Sequence, residues 1–233
     1  MAGVSNATEL RARYQRAKCV FFDCDGVIFD SNGFKIDAMR NTLAAHGEGE
    51  VAQMVDFWRS NGGMSRFVKF EHFFTHIAPR ADVQAHMRAA SQRFGELARA
   101  AYDGVEPIPE ALELARTIGA SRCHVVSGAA QVELESVFAA KSIAGLFASI
   151  LGSPRPKLDL VSGVLAEQRC APEDALLIGD GAMDYRVSQT LGLHFVYLAQ
   201  FSEWTYADAT LDGASGVSVA PRWSDLLATL LPR

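Results

Sequence analysis

Short apolar runs of strand length alternate with longer helical patterns along most of this chain, and no other feature constrains the fold as much. The alternation predicts βαβ units, hence an α/β fold with a parallel sheet. The predicted strands are Cys19–Cys24, Cys123–Ser127, Phe147–Leu151, Ala175–Ile178, Leu193–Leu198 and a short Gly216–Val219. They are apolar runs bounded by Gly, Ser or Asp, as expected of strands covered on both faces. Between them the pattern predicts helices over Pro109–Ile118, Ala129–Ala140, Leu158–Arg169, Met183–Leu191 and Trp223–Leu231. The first of these opens with proline in its first turn and stops at Gly119, a matched start and stop.

From Ser31 to Gly104 the alternation fails. This stretch holds helical segments rich in Ala, Arg, Phe and His, with breaks at His46-Gly47, Asn61-Gly62-Gly63 and Ala78-Pro79. It reads as an all-helical insert of about four helices placed between the first and second strands. The expected organisation is therefore a core domain over 1–30 and 105–233 and a helical domain over 31–104. The two chain crossings, after Asp30 and near Gly104–Pro109, could serve as hinges.

Composition removes several classes of function. The chain has 233 residues, 49% hydrophobic and 21% charged, which suits a folded globular protein. Its 22 basic and 27 acidic residues leave a net charge of −5, so no basic excess marks it as a generic nucleic-acid binder. The most apolar run, Cys19–Phe29, is broken by Asp23 and Asp25, and no stretch reads as a membrane span. Residues 1–18 contain no apolar segment of the secretory type, so a cytoplasmic location is expected. The four cysteines, Cys19, Cys24, Cys123 and Cys170, form no CxxC pair and read as reduced core thiols.

Four short signals carry chemistry. Asp23-Cys24-Asp25-Gly26 places two carboxylates at the end of a very apolar strand, where burial is costly without a compensating cation. Ser127-Gly128 ends the next core strand with a hydroxyl. Lys157 stands at the start of a helix, although cations favour the opposite end of the helix dipole. Gly179-Asp180-Gly181 follows a further strand, with Asp184 four residues on from Asp180 at the opening of a helix. Taken singly, each has a bland explanation: a strand end turning into solvent, a Ser-Gly turn, a surface lysine, an acidic N-cap. The Gly179-x-Gly181 pair lacks the third glycine of a dinucleotide loop, and an acid occupies the approach to pyrophosphate. Jointly, all four fall at the carboxyl ends of predicted parallel strands, the edge at which open α/β sheets bind ligands. Three carboxylates gathered there would repel one another. A hard divalent ion such as Mg²⁺ would resolve that repulsion, and together with the lysine and turn N–H groups it would make a cradle for a phosphoryl group.

The ordered set Asp23-x-Asp25-Gly26, Ser127, Lys157 and Gly179-Asp180-x-x-x-Asp184 resembles the four signatures of the haloacid dehalogenase superfamily. The helical insert resembles that family's C1 cap, so the resemblance spans nearly the whole chain. It implies a Rossmann-like three-layer core with an α-helical cap closing over the active site. It implies a Mg²⁺-dependent phosphatase acting on a small phosphorylated metabolite, with neither nucleic acid nor membrane as partner. Asp23 would be the nucleophile, forming an aspartyl-phosphate. Asp25 would be the general acid and base, a role for which a raised pKa is expected. Ser127, Lys157 and the backbone N–H groups of Cys24, Asp25 and Gly128 would hold phosphate oxygens. The metal ligands would be Asp23, the backbone carbonyl of Asp25, Asp180 and Asp184.

Asp25 narrows the chemistry further. Dehalogenases of the superfamily lack that acid, and its phosphonate-cleaving members have alanine there and a cap lysine as Schiff base. Lys35 and Lys69 are the lysines of the insert, and Asp25 argues against that role for either. Gly62-Gly63-Met64-Ser65-Arg66 resembles the specificity loop of C1 caps, and makes Arg66 and Lys69 the candidates for touching the non-reacting part of the substrate. A similar Gly-x-Ser-Arg occurs in β-phosphoglucomutase-like members, where the arginine grips a second phosphate. A sugar-phosphate mutase is therefore the alternative enzyme, and a non-catalytic phosphate-ligand binder the alternative outside enzymes. The pair His72 and His76, four residues apart on one helix, has no third metal ligand at recognisable spacing. Phe67, Phe70, Phe73 and Phe74 are expected to pack the insert's own core. The sequence sets no oligomeric state.

Overall fold

The computed structural model describes residues 3–231. Its elements follow in the order α1 (Ala7–Arg16), β1 (Cys19–Phe22), α2 (Asn32–Thr42), α3 (Glu48–Ser60), α4 (Arg66–His72), α5 (Val83–Tyr102), α6 (Pro109–Ile118), β2 (Cys123–Ala130), α7 (Gln131–Ala140), β3 (Ser149–Ser153), α8 (Lys157–Glu167), β4 (Ala175–Gly179), α9 (Ala182–Leu191), β5 (His194–Leu198), α10 (Ala207–Leu211), β6 (Val217–Ala220) and α11 (Trp223–Leu230). The six strands form one sheet in the order β3-β2-β1-β4-β5-β6, with every neighbouring pair parallel. This is the parallel α/β sheet that the alternation predicts, in the doubly wound, Rossmann-like form that the resemblance implies. The order reverses direction at β1, so crossovers leave on opposite faces and open a crevice at the carboxyl edge.

β1 shows why the sheet needs helices on both sides. Cys19 and Phe21 point into one apolar cluster, whereas Val20 and Phe22 point into another on the opposite face. All four are buried. Alternate side chains of a strand face opposite ways, so a strand apolar at every position requires two covering layers. Phe21 is fully buried among Leu160, Val161 and Leu177 of its cluster. Phe21→Ala should therefore destabilise the protein by about 3–5 kcal/mol in urea denaturation, the usual cost of emptying a core aromatic site.

Register fixes the functional edge. Phe22 pairs with Val125 of β2 and with Ile178 of β4, so the three central strands reach the carboxyl edge level, β2 running on past it through an irregularity. The residues that follow, Asp23, Ser127 and Asp180, consequently emerge side by side. Between β1 and β2, helices α2 to α5 and a π-helical turn at Phe73–Ile77 surround a separate apolar cluster built on Met39, Met54, Phe70, Phe73 and Phe94. Phe74 joins that cluster, and Phe67 is partly buried.

Several boundaries differ from the sequence reading. The strand expected from Phe147 starts at Ser149, because Phe147 leaves a short 3-10 turn and packs its ring into the core from a loop. The helix expected from Ala129 starts at Gln131, since β2 continues through an irregularity to Ala130. Helix α1 was not expected, because it is polar and Leu10 is its one buried residue. All four cysteines are free and buried. Among the described residues no helix is long and apolar enough to cross a membrane.

Candidate active site

The loop after β1 is folded back on itself. Ile28 and Phe29 donate backbone hydrogen bonds to the Cys24 carbonyl, and Gly26 donates to that of Phe29. The turn requires glycine at position 26. Its φ is +75°, and a Cβ there would lie 2.1 Å from an Asp180 carboxylate oxygen. Trp223 of α11 donates from Nε1 to the Val27 carbonyl at 3.0 Å and pins the loop from below. This tight turn sends Asp23 and Asp25 in different directions.

Asp23 faces the acids of the neighbouring strand. One oxygen from each of Asp23, Asp180 and Asp184 lies within 4.8 Å of the others, and all three side chains are buried. Lys157, the first residue of α8, is inserted between two of them, 3.0 Å from Asp23 Oδ1 and 2.6 Å from Asp184 Oδ1. Its unusual place on the helix is explained by those carboxylates, which outweigh the helix dipole. Asp184 also accepts a hydrogen bond from the Gly181 N–H, and Asp180 accepts one from Asn32 at 2.6 Å. Burial first, and then repulsion from neighbouring acids, pushes Asp23 above the usual carboxylate range, with Lys157 opposing the shift. Asp180 is raised well above that range by burial and by the charges of Asp23 and Asp184.

Fully ionised, the three acids against one lysine would leave an excess of two negative charges in a buried volume, which is why Asp23 and Asp180 hold their protons more tightly without a cation. An all-oxygen donor set with that deficit fits one hard dication. Zinc at the histidine pair has no comparable support. His72 stacks flat on Phe57 with ring centroids 3.8 Å apart, and Asp23, Asp180 and Asp184 form the one metal-competent cluster among the described residues.

Asp25 lies outside the cluster. Its Oδ1 accepts hydrogen bonds from Ser31 at 2.6 Å and from Tyr102, and its Oδ2 accepts from Lys35. Burial alone would raise its pKa, but Lys35, Ser31 and Tyr102 together outweigh burial, and the net shift is downward. The expected raised pKa is thus corrected: in the free protein Asp25 is held ionised. Ser31, Asn32 and Tyr102 carried no recognisable signal as site residues, and Lys35 stood out only as an insert lysine whose Schiff-base role Asp25 argues against. The spacing of Asn32 and Lys35, three apart on one face of α2, was the available clue.

Ser127 is buried just past the regularly paired part of β2, and its hydroxyl oxygen accepts the Ala129 N–H at 3.0 Å. Gly128 beside it meets the insert. A Cβ on Gly128 would come within 2.5 Å of the Gly63 carbonyl oxygen, so the approach of the two backbones depends on glycine. Gly62 accepts a hydrogen bond from the Met183 N–H of α9 at 3.1 Å. The Gly62–Met64 turn thus rests on the same core turns that bear Ser127, Asp180 and Asp184. Beneath it remains a cavity of about 60 Å³, whose lining includes Asp25, Lys35, Trp58, Arg66, Lys69 and Asp180.

Residues 17–192 match the sequence profile of the haloacid dehalogenase-like hydrolases. The chain belongs to this family. No curated protein matches the chain. Solved structures of similar fold include a haloacid dehalogenase-like family protein from Streptococcus pneumoniae, at TM-score 0.71 and 17% identity over 92% of this chain and 98% of that one. A protein described as a predicted phosphoglycolate phosphatase from Haemophilus somnus aligns with TM-score 0.69 and 16% identity, over 91% of this chain and 97% of its own. A predicted phosphatase from Clostridium acetobutylicum gives 0.70 and 16%, over 93% and 99%.

Within this haloacid dehalogenase-like hydrolase the two insert residues picked out by sequence behave differently. Arg66 lines the cavity, yet its guanidinium pairs with Glu133 at the start of α7 and lies 5.4 Å from the Phe94 ring centroid. Its charge is already satisfied. Lys69 lines the same cavity, fully covered, with no acid beside it.

Proposed function

We propose that this hydrolase is a Mg²⁺-dependent phosphatase that cleaves phosphate monoesters of small metabolites through Asp23. The observation that carries the reading is Lys157 wedged between Asp23 and Asp184, with Asp180 in reach, at the carboxyl edge of a parallel sheet. A carboxylate nucleophile beside a fixed cation and an anion-binding edge suits phosphoryl transfer, in which positioning and charge stabilisation do most of the work. The phosphatase descriptions of the structural neighbours agree with it.

In this reading Asp23 attacks phosphorus and the bond from phosphorus to the leaving alcohol's oxygen breaks. Ser127, the Gly128 N–H and Lys157 hold phosphate oxygens, and Lys157 also shields Asp23 from the incoming anion. Asp25 gives a proton to the departing alkoxide. A bound phosphate dianion adds like charge next to Asp25, which raises its proton affinity from the low value of the free protein, so that Asp25 takes up from solvent, as the substrate binds, the proton it passes on. Asp25 then takes a proton from water as the water oxygen attacks the phosphorus of the aspartyl-phosphate, releasing inorganic phosphate and restoring Asp23. Asp23, Asp180, Asp184 and the Asp25 carbonyl would hold Mg²⁺, which when bound neutralises the excess negative charge and polarises a phosphoryl oxygen. Helices α2 to α5 act as the cap, and the Gly62–Met64 turn excludes water from the reacting centre.

The mutase alternative loses its main support, because the arginine it would need for a second phosphate is neutralised by Glu133. A panel of phosphorylated sugars, nucleotides and organic acids, assayed with added Mg²⁺, tests the assignment. Release of inorganic phosphate from at least one compound, abolished by chelation, is expected. Isomerised sugar phosphate without free phosphate would favour the mutase, and binding without turnover the non-catalytic reading.

A further inference from the structure

We infer that Lys69 anchors a carboxylate on the non-reacting end of the substrate, so that the preferred substrates are phosphate esters of small carboxylic acids. The inference deepens the phosphatase reading and rests on it for the fate of the ester. Lys69, on α4, lines the cavity and is 3% exposed. The other cations lining that cavity each have an acid partner: Lys35 has Asp25, Arg59 has Glu203 and Arg66 has Glu133. Among the described residues Lys69 has none. Its polar contact is a long hydrogen bond of 3.4 Å to the Trp58 carbonyl, and its Nζ stands 4.1 Å above the Trp58 ring.

An ammonium group has three protons to donate, and burying it without a counter-ion is costly. Burial, reinforced by Lys35, pulls Lys69 down to about 7, so its charge is strained even though Asp25, Asp180 and Asp23 favour it from beyond ion-pair distance. An anion entering with the substrate relieves that strain and supplies the missing acceptors. The cavity opens toward solvent, so the chemistry of its lining rather than its volume selects the anion. A second phosphate is matched best by a bidentate arginine, and the one arginine near Lys69 on α4 is held by Glu133. A single ammonium matches a carboxylate in charge.

The test compares two isosteric esters, the phosphates of glycolic acid and of glycolamide, in phosphate-release assays with Mg²⁺. A parallel thermal-shift arm uses the non-hydrolysable pair 3-phosphonopropionate and its amide. The wild-type protein should favour the acid over the amide by at least about 30-fold in kcat/KM, the worth of one charge-assisted hydrogen bond. It should also be stabilised more by the phosphonate acid. In Lys69→Met, which keeps the aliphatic stem over Trp58, both preferences should collapse while the melting temperature of the ligand-free protein does not fall. A wild-type ratio near one, or a ratio unchanged in the variant, overturns the inference, and neither result depends on a variant's folding alone. Preferential binding of the phosphonate acid without phosphate release from any ester leaves Lys69 as the anchor and overturns the phosphatase reading. Phosphate release with no Lys69-dependent preference does the reverse. No binding and no release overturn both.

Discussion

Asp23→Asn is expected to lower kcat by at least about 10⁴-fold, the scale seen when a covalent nucleophile is removed, while leaving the protein folded. The asparagine is isosteric, so the loss is one of charge and nucleophilicity rather than shape. Its carbonyl oxygen can still accept the Cys24 N–H, now bonded at 2.7 Å, and Lys157 retains its 2.6 Å contact with Asp184. Burial and acidic neighbours penalise the charge on Asp23 in the folded state. Removing that charge should therefore leave the metal-free melting temperature equal or higher. A loss of activity accompanied by a large fall in stability would mark Asp23 as structural. Circular dichroism melts beside the kinetic assay separate the two.

The second large effect concerns the acidic cluster. Asp180→Asn should reduce Mg²⁺-dependent turnover by about 10³-fold or more, a typical scale for loss of electrostatic stabilisation at a transition state. It should also abolish the response of stability to metal. At 100 times its dissociation constant a ligand stabilises the native state by about 2.7 kcal/mol, which for a chain of this size corresponds to a melting shift of roughly 5–10 °C. The wild-type protein should show a Mg²⁺ shift of that order, and the variant little or none.

The pH dependence follows from the same carboxylates. Their folded-state pKa values lie above those of the unfolded chain. The metal-free native state therefore binds more protons than the unfolded state, and these two acids favour folding most at low pH. That contribution is lost as pH rises through the raised native values. Relative to Asp180→Asn, the metal-free wild-type protein should become progressively less stable as pH is raised from about 4 toward neutrality. Mg²⁺ should flatten the difference. A wild-type curve parallel to that of the variant, with no effect of Mg²⁺, would show that the acids do not share an ion.

The parts of this account that were legible in the sequence share a physical cause. β1, β2, β4 and β5 are buried on both faces, so their apolar runs stand out and their ends mark where Asp23, Ser127 and Asp180 emerge. Asp180 and Asp184 are readable because they lie on one strand-to-helix turn. Hidden residues were of two kinds. Helix α1 buries little beyond Leu10 and so lacks an apolar stripe. The groups that hold Asp25 come from the two ends of the helical insert, Ser31 and Lys35 near its start and Tyr102 at its end, the last 77 residues distant in sequence. Local pattern carries no information about such a meeting, and the direction of the Asp25 shift was accordingly misjudged. Arg66 was legible as a member of the cavity wall but not as the partner of Glu133, a contact made 67 residues away across two elements.

The central claim is that the acids and lysine at the sheet edge make Asp23 a covalent acceptor of phosphate. Rapid acid quenching during turnover of a ³²P-labelled ester tests it most directly. The account predicts acid-stable, hydroxylamine-labile label on the peptide containing Asp23, present in the wild-type protein with Mg²⁺ and absent in Asp23→Asn. Phosphate release at full rate with no label on that peptide, or label that persists in Asp23→Asn, would contradict it.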